Sequence, residues 1–330
     1  MITEKTVFIL GAGASCPYGF PSGAQLRKEI CFDFTDKYLR FLKNTNSYDN
    51  GLRFQGFEGL IKRFFESSTK SIDLFLARYS EIADIGKYVI AFEMLNAEIN
   101  SHFNEQSKNE GKEDWLFYLF DRMTNTIKDR TQIKKFSENN ISFITFNYDR
   151  SLEHFFFTSL CNSFNVPKYE PKNEILNVLR QLKIIHVYGS IAPLDWQDNE
   201  NGVEYRTQIT ESILQKTSKN LRTIYEEKQN PELDEAKKLI ANADEVFFLG
   251  FGYASENMGI LKLPELIPYC CKVYGTAFGL EAKEISDIKN NIIQSLKPKA
   301  EKERRHLDYN YDRRIRIENM DCLKLLRNYL

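Results

Sequence analysis

Short apolar runs punctuate this chain at residues 5–10, 141–146, 183–188, 245–250, 272–278 and 314–318. Runs of this length, rich in Val, Ile and Phe, predict strands buried on both faces, as in parallel sheets. Several of them give way to helical periodicity, which predicts an α/β fold with a doubly wound, Rossmann-like parallel sheet. Between about 34 and 136 the period changes. Apolar residues recur there at three- and four-residue steps, as in Phe57, Leu60, Ile61, Phe64 and Phe65, then Ile72, Phe75, Leu76 and Tyr79. That spacing predicts a helical insertion packed on the sheet. The expected organisation is a Rossmann-like domain over 1–33 and 137–330, interrupted by a helical subdomain over 34–136. A second insertion, roughly 191–232, is polar, and its stretch from Asp195 to Gly202 has the composition of a loop.

Candidate chemistry collects where the apolar runs end. The first run leads straight into Gly11-Ala12-Gly13-Ala14-Ser15 and a predicted helix. Glycines there let backbone approach an anion, and Ser15 adds a hydroxyl ahead of the helix dipole; a tight strand-to-helix turn without a ligand uses the same residues. No glycine stands three residues after Gly13, and no acidic residue closes a second strand about twenty residues on, so a hydride-transfer enzyme is disfavoured. The second run ends in Asn147-Tyr148-Asp149, the third places His186 shortly before Gly189, and the fourth opens into Gly250-Phe251-Gly252. Asn147 and Asp149 are also suited to capping a helix that starts near Arg150. His186 is either a site residue at a strand's carboxyl end or a core histidine satisfied by a carbonyl.

Composition narrows the picture less. The formal net charge of -1 gives no general pull towards nucleic acid or anionic membranes, and the charge-dense stretch from Lys297 to His306 interleaves acids with bases, as a solvated face does. No run of eighteen apolar residues exists and no signal peptide precedes the first strand, so a cytoplasmic protein without membrane or nucleic-acid partners is expected. The six cysteines follow no disulfide or zinc spacing, and none lies between His186 and Gly250. Cys16, in the first glycine loop, is a candidate reactive thiol or a small filler residue. His102, His154 and His306 lack a comparable setting and read as structural or solvated.

Taken in order, these motifs resemble the sirtuin-like family, in particular its bacterial branch that hydrolyses NAD. Gly11-Ala-Gly-Ala-Ser15 with Gly19-Phe-Pro21 is similar to the family's GAGxS and GxP loop, and Thr145-Phe-Asn147-Tyr-Asp149 to its TQNxD step. His186-Val-Tyr-Gly189 is similar to its catalytic histidine-glycine segment, and Gly250-Phe-Gly252 stands where the family has its GTS turn. Phe146 replaces the family's glutamine, and the zinc ribbon of deacylating members is missing, so no zinc is expected. The resemblance implies an NAD glycohydrolase with NAD as substrate and an anti-phage role, held off by homo-oligomeric assembly or by a regulatory partner such as a hexameric ATPase. It further implies that Gly11, Ala12, Gly13, Ser15, Pro21, Gly250, Gly252 and Ser255 contact the dinucleotide, that Tyr148 and Asp149 face the nicotinamide carboxamide, and that Asp321 and Cys322 close against adenine. An NAD-dependent deacylase and a non-catalytic NAD or ADP-ribose-binding regulator are the alternatives.

The chemistry of the reaction selects two catalytic candidates. Cleaving the nicotinamide–ribose bond passes through an oxocarbenium-like transition state and releases a neutral leaving group, so the site must orient the ribose and one water rather than supply a strong acid. Asn147 suits that orientation, because an amide donates and accepts without adding charge. His186, which ordinarily titrates near neutrality, is the candidate general base. Asp73, in Ser71-Ile-Asp73, is equally explained as a first-turn acid of a helix and is left outside the catalytic set.

Overall fold

The computed structural model describes residues 1–45, 51–102, 114–168, 174–224, 226, 231–302 and 311–330. His306 and residues 303–305 of the charge-dense stretch before it fall outside these, as do parts of both expected insertions. Six strands form one parallel sheet: β1 (Thr6–Leu10), β2 (Ile141–Thr145), β3 (Lys183–His186), β4 (Glu245–Leu249), β5 (Lys272–Thr276) and β6 (Ile315–Glu318). Each lies within one of the six apolar runs. Their spatial order is β3-β2-β1-β4-β5-β6, the doubly wound order in which the direction of winding reverses between β1 and β4. Every residue of β1, β2 and β4 is buried, which is why these strands read as unbroken apolar runs rather than as alternating ones.

Alternation along the strands still sorts side chains between two cores. One face gathers Val7, Ile9, Ile144, Val246 and Phe248, and the other Phe8, Leu10, Phe143, Phe247 and Leu249. The long connection from β1 to β2 feeds both. Helices Phe34–Thr45, Leu52–Glu66 and Ala83–Ile99 lay Phe34, Tyr38, Phe57 and Phe92 against the first face, their rings meeting edge to face at centroid distances of 4.9–5.7 Å. Helix Trp115–Thr124 instead sends Leu116 and Leu119 into the second core. The residues between 34 and 136 thus share their cores with the sheet and wrap it from both sides.

The polar stretch after β3 is irregular through residue 210 and then helical at Glu211–Ser218, where Leu214 and Thr217 are buried. It is pinned from beneath by Arg150. That buried guanidinium pairs with Glu98 at 2.8 Å and donates to the carbonyls of Pro193 and Glu204 at 3.1 and 2.9 Å. Among the described residues no helix is long and apolar enough to cross a membrane.

Candidate active site

A cavity of about 1230 Å³ opens at the carboxyl ends of the strands, over the switch between β1 and β4. All six strands send the segment that follows them to its wall: Gly11–Gly13 after β1, Asn147–Asp149 after β2, Tyr188 after β3, Gly250–Gly252 after β4, Ala277–Phe278 after β5 and Asp321–Leu323 after β6. Asp73 from helix Ile72–Arg78, with Asp114 and Trp115 at the head of helix Trp115–Thr124, completes the enclosure.

The glycines of the two loops serve each other. A methyl group on Gly11 would sit 2.6 Å from the Gly250 carbonyl oxygen, and one on Gly250, whose φ is +56°, would sit 2.0 Å from the Ala14 nitrogen. Gly11 and Gly13 donate their N–H groups to the carbonyls of Leu249 and Gly250, both at 3.0 Å, while those of Ala14 and Ser15 close local turns on Gly11 and Ala12. These four amides are therefore spent on building the wall. The tight-turn reading accounts for Gly11 and Gly13, whereas a side chain on Gly252 would meet nothing within 4 Å. Trp115 clamps the loop from above by donating its indole N–H to the Ala14 carbonyl at 2.8 Å.

Asn147 is held rigidly in this wall. Its Nδ2 donates to the Gly11 carbonyl at 3.1 Å and to Ser15 Oγ at 3.0 Å, and its backbone N–H donates to Thr145 Oγ1 at 3.0 Å. With both amide protons engaged, the orientation of the side chain is fixed, and Oδ1 is a buried acceptor without a partner. Asn147 is thus no helix cap. Asp149, one residue before the N-cap position, does hold the first turn of the helix that starts at Ser151, accepting the Ser151 N–H at 3.1 Å together with the hydroxyls of Ser151 and Ser15, and it also lines the cavity. Burial raises its pKa against the pull of those donors.

His186 is placed elsewhere. Alternation along β3 sends Ile185 and Val187 into the first core and turns His186 away from them, towards helix Ser151–Ser163. Its Nε2 lies 2.7 Å from Glu153 Oε1 and its Nδ1 lies 3.0 Å from the Asn147 carbonyl oxygen. Burial alone would lower its pKa, but the Glu153 carboxylate and the Asn147 carbonyl outweigh it and raise it to about 9. At neutral pH it is an imidazolium that donates from both nitrogens and has no lone pair with which to act as a base. The expectation of a cavity-facing general base therefore gives way to a residue that braces the Asn147 backbone from behind. The residue that directly precedes Gly189 and reaches the cavity is Tyr188, whose hydroxyl donates to Asn257 Oδ1 at 2.7 Å.

Of the other expected contacts, Ala12, Pro21, Tyr148, Asp321 and Cys322 line the cavity beside the glycines. Ser15 lies buried beneath Asn147 rather than on the wall. Ser255 faces a separate depression and bonds to Glu256 at 3.2 Å, because the helix starting there turns it outwards. Cys16 lines the cavity, but burial and the neighbouring Asp149 raise its thiol pKa, and burial with Asp321 pushes Cys322 up to about 12, so neither is an activated thiolate.

Two features of the site were not read from the sequence. Four aspartates, Asp73, Asp114, Asp149 and Asp321, line the cavity, and among the described residues no lysine, arginine or histidine joins them. Asp73 occupies the first turn of its helix as expected, capped by Ser71, yet it also reaches the wall, where the Tyr148 hydroxyl donates to its Oδ1. Burial raises its pKa to about 6 against the hydrogen bond from Ser71. In comparisons with known proteins, the chain matches no family model and no curated protein.

Proposed function

We propose that this cavity binds NAD and cleaves its nicotinamide–ribose bond, releasing nicotinamide and ADP-ribose. The observation that carries the reading is Asn147, an amide locked by two donated hydrogen bonds that lines the cavity and leaves one buried acceptor free. Such an acceptor suits a ribose hydroxyl or the attacking water, and its preorganisation costs nothing at the moment of reaction. The surroundings suit the rest of the reaction. Carboxylates favour a pyridinium ring and the oxocarbenium-like charge that replaces it, while Phe146, Tyr188 and Phe251 form an aromatic cluster 5.3–5.6 Å apart that offers apolar contact to a planar ring. By the resemblance of its motifs, the physiological role is that of an anti-phage effector that depletes NAD and is restrained by self-assembly or a partner.

The test is incubation of the purified chain with NAD, with nicotinamide and ADP-ribose followed by chromatography beside Asn147→Ala. Product from the wild type and none from the variant supports the reading; no product together with no calorimetric binding overturns it. A second reading, a regulator that binds NAD or ADP-ribose without turnover, is favoured by one observation: Tyr188 rather than a histidine precedes Gly189 at the wall. Tight binding without product would select it.

A further inference from the structure

We propose that Tyr148 and Asp73 together form the proton acceptor of this site, with Tyr148 taking the proton from the attacking water as it passes its own to Asp73. The inference rests on reading the cavity as a site of glycosidic cleavage. Water adding to the ribose must lose a proton, and most of the nearby groups are already committed. His186 has both ring nitrogens engaged and lies off the wall. Asp149 accepts from the hydroxyls of Ser15 and Ser151 and from the Ser151 N–H. Asp114 and Asp321 each cap a helix, accepting the N–H groups of Phe117 and Lys324.

Asp73 differs in what it faces. Ser71 donates to its Oδ2 at 2.8 Å, and Oδ1 receives a hydroxyl that itself lines the cavity. That hydroxyl belongs to Tyr148, the residue after Asn147, so the acceptor pair adjoins the amide assigned to orienting the ribose and water. Because the Tyr148 proton points at Asp73, its oxygen lone pairs are left to accept. Burial raises Asp73 towards the range in which a carboxylate is an effective base near neutral pH.

The step balances. The water oxygen bonds to ribose C1′ as the C1′–N bond breaks, and that electron pair leaves with neutral nicotinamide. The water proton moves to the Tyr148 oxygen while the Tyr148 proton moves to Asp73 Oδ1, and the Asp73 carboxyl afterwards releases it to solvent. The net change is NAD and water to nicotinamide, ADP-ribose and one proton, with no external acid, base or oxidant.

The experiment measures kcat and KM for nicotinamide release by the full chain and by Asp73→Asn, Tyr148→Phe and the double variant, with NAD binding by calorimetry and folding by thermal melting. We expect each single variant to lower kcat by about 10²–10⁴-fold with little change in KM, and the double variant to be no slower than the worse single one. Tyr148→Phe keeps the ring and its packing, so it decides the matter should Asp73→Asn fail to fold. Wild-type cleavage with kcat of Tyr148→Phe within about threefold of it overturns the relay but not the cleavage reading. Wild-type protein that binds NAD and releases no nicotinamide overturns both.

Discussion

The chemistry of this site turns on how two side chains at the end of β2 and β3 are held. Asn147 gives up its two amide protons to Gly11 and Ser15, so replacing it with Ala removes the free acceptor together with two donated hydrogen bonds, although the Gly11 carbonyl keeps the Ala14 N–H. We expect Asn147→Ala to lose roughly 1–3 kcal/mol of stability and to abolish nicotinamide release, read by chemical denaturation and product chromatography. His186 makes a prediction of a different kind. Its folded pKa of about 9 lies above the ordinary 6.5, owing to Glu153 and the Asn147 carbonyl. Below 6.5 the folded and unfolded chains both hold the proton and the full stabilisation is present. Between 6.5 and 9 the folded chain holds more of it, so stability falls as pH rises, by up to roughly 3 kcal/mol. Glu153→Gln removes the charge that raises the pKa, and urea unfolding at pH 6, 7.5 and 9 should show its slope flattened beside the wild type. A wild type as stable at pH 9 as at pH 6 would refute the buried imidazolium.

The loops after β1 and β4 form one structural unit, because Gly11 and Gly13 approach the Gly250 backbone more closely than a side chain permits. We expect Gly250→Ala to cost several kcal/mol and to abolish NAD binding, since it strains a positive φ and drives a methyl group into the Ala14 nitrogen. Gly252→Ala meets open space and should change stability by less than about 0.5 kcal/mol, so any loss of NAD affinity in it would mark ligand contact; melting and calorimetry on both variants separate the two cases. These loops also show what the sequence reveals. Strands β1, β2 and β4 were legible because burial on both faces leaves short unbroken apolar runs, while β6 at the sheet edge alternates buried isoleucines with Arg316 and Glu318; the segments after the strands were legible as the wall because ligand sites sit at their carboxyl ends. His186 was misplaced because it is the last residue of β3, where one residue's step decides the face, and the wall is reached by Tyr188 after the strand has ended. Asp73 stays outside the catalytic set on sequence alone because a first-turn helix acid explains it equally well, and only the fold brings it to Tyr148, 75 residues away.

A formal charge of -1 says nothing of how charge is distributed, and among the described residues the cavity is one-sided: four carboxylates face it and no basic side chain does. The mostly apolar walls of the cleft concentrate that negative potential. A dinucleotide with a cationic nicotinamide ring and a compact diphosphate tolerates such a field better than one carrying a further phosphate. We therefore expect NADP to bind at least about tenfold more weakly than NAD, a difference of about 1.4 kcal/mol. Because the cause is electrostatic, the gap should narrow as ionic strength rises and as pH falls to 5, where Asp73, with its pKa of about 6, takes up a proton. Calorimetric titration of the full chain with both dinucleotides at two ionic strengths and at pH 7 and 5 measures this. A gap unchanged by salt and pH would mean that shape, not charge, excludes the extra phosphate, and equal affinities would mean that the aspartates lie beyond its reach.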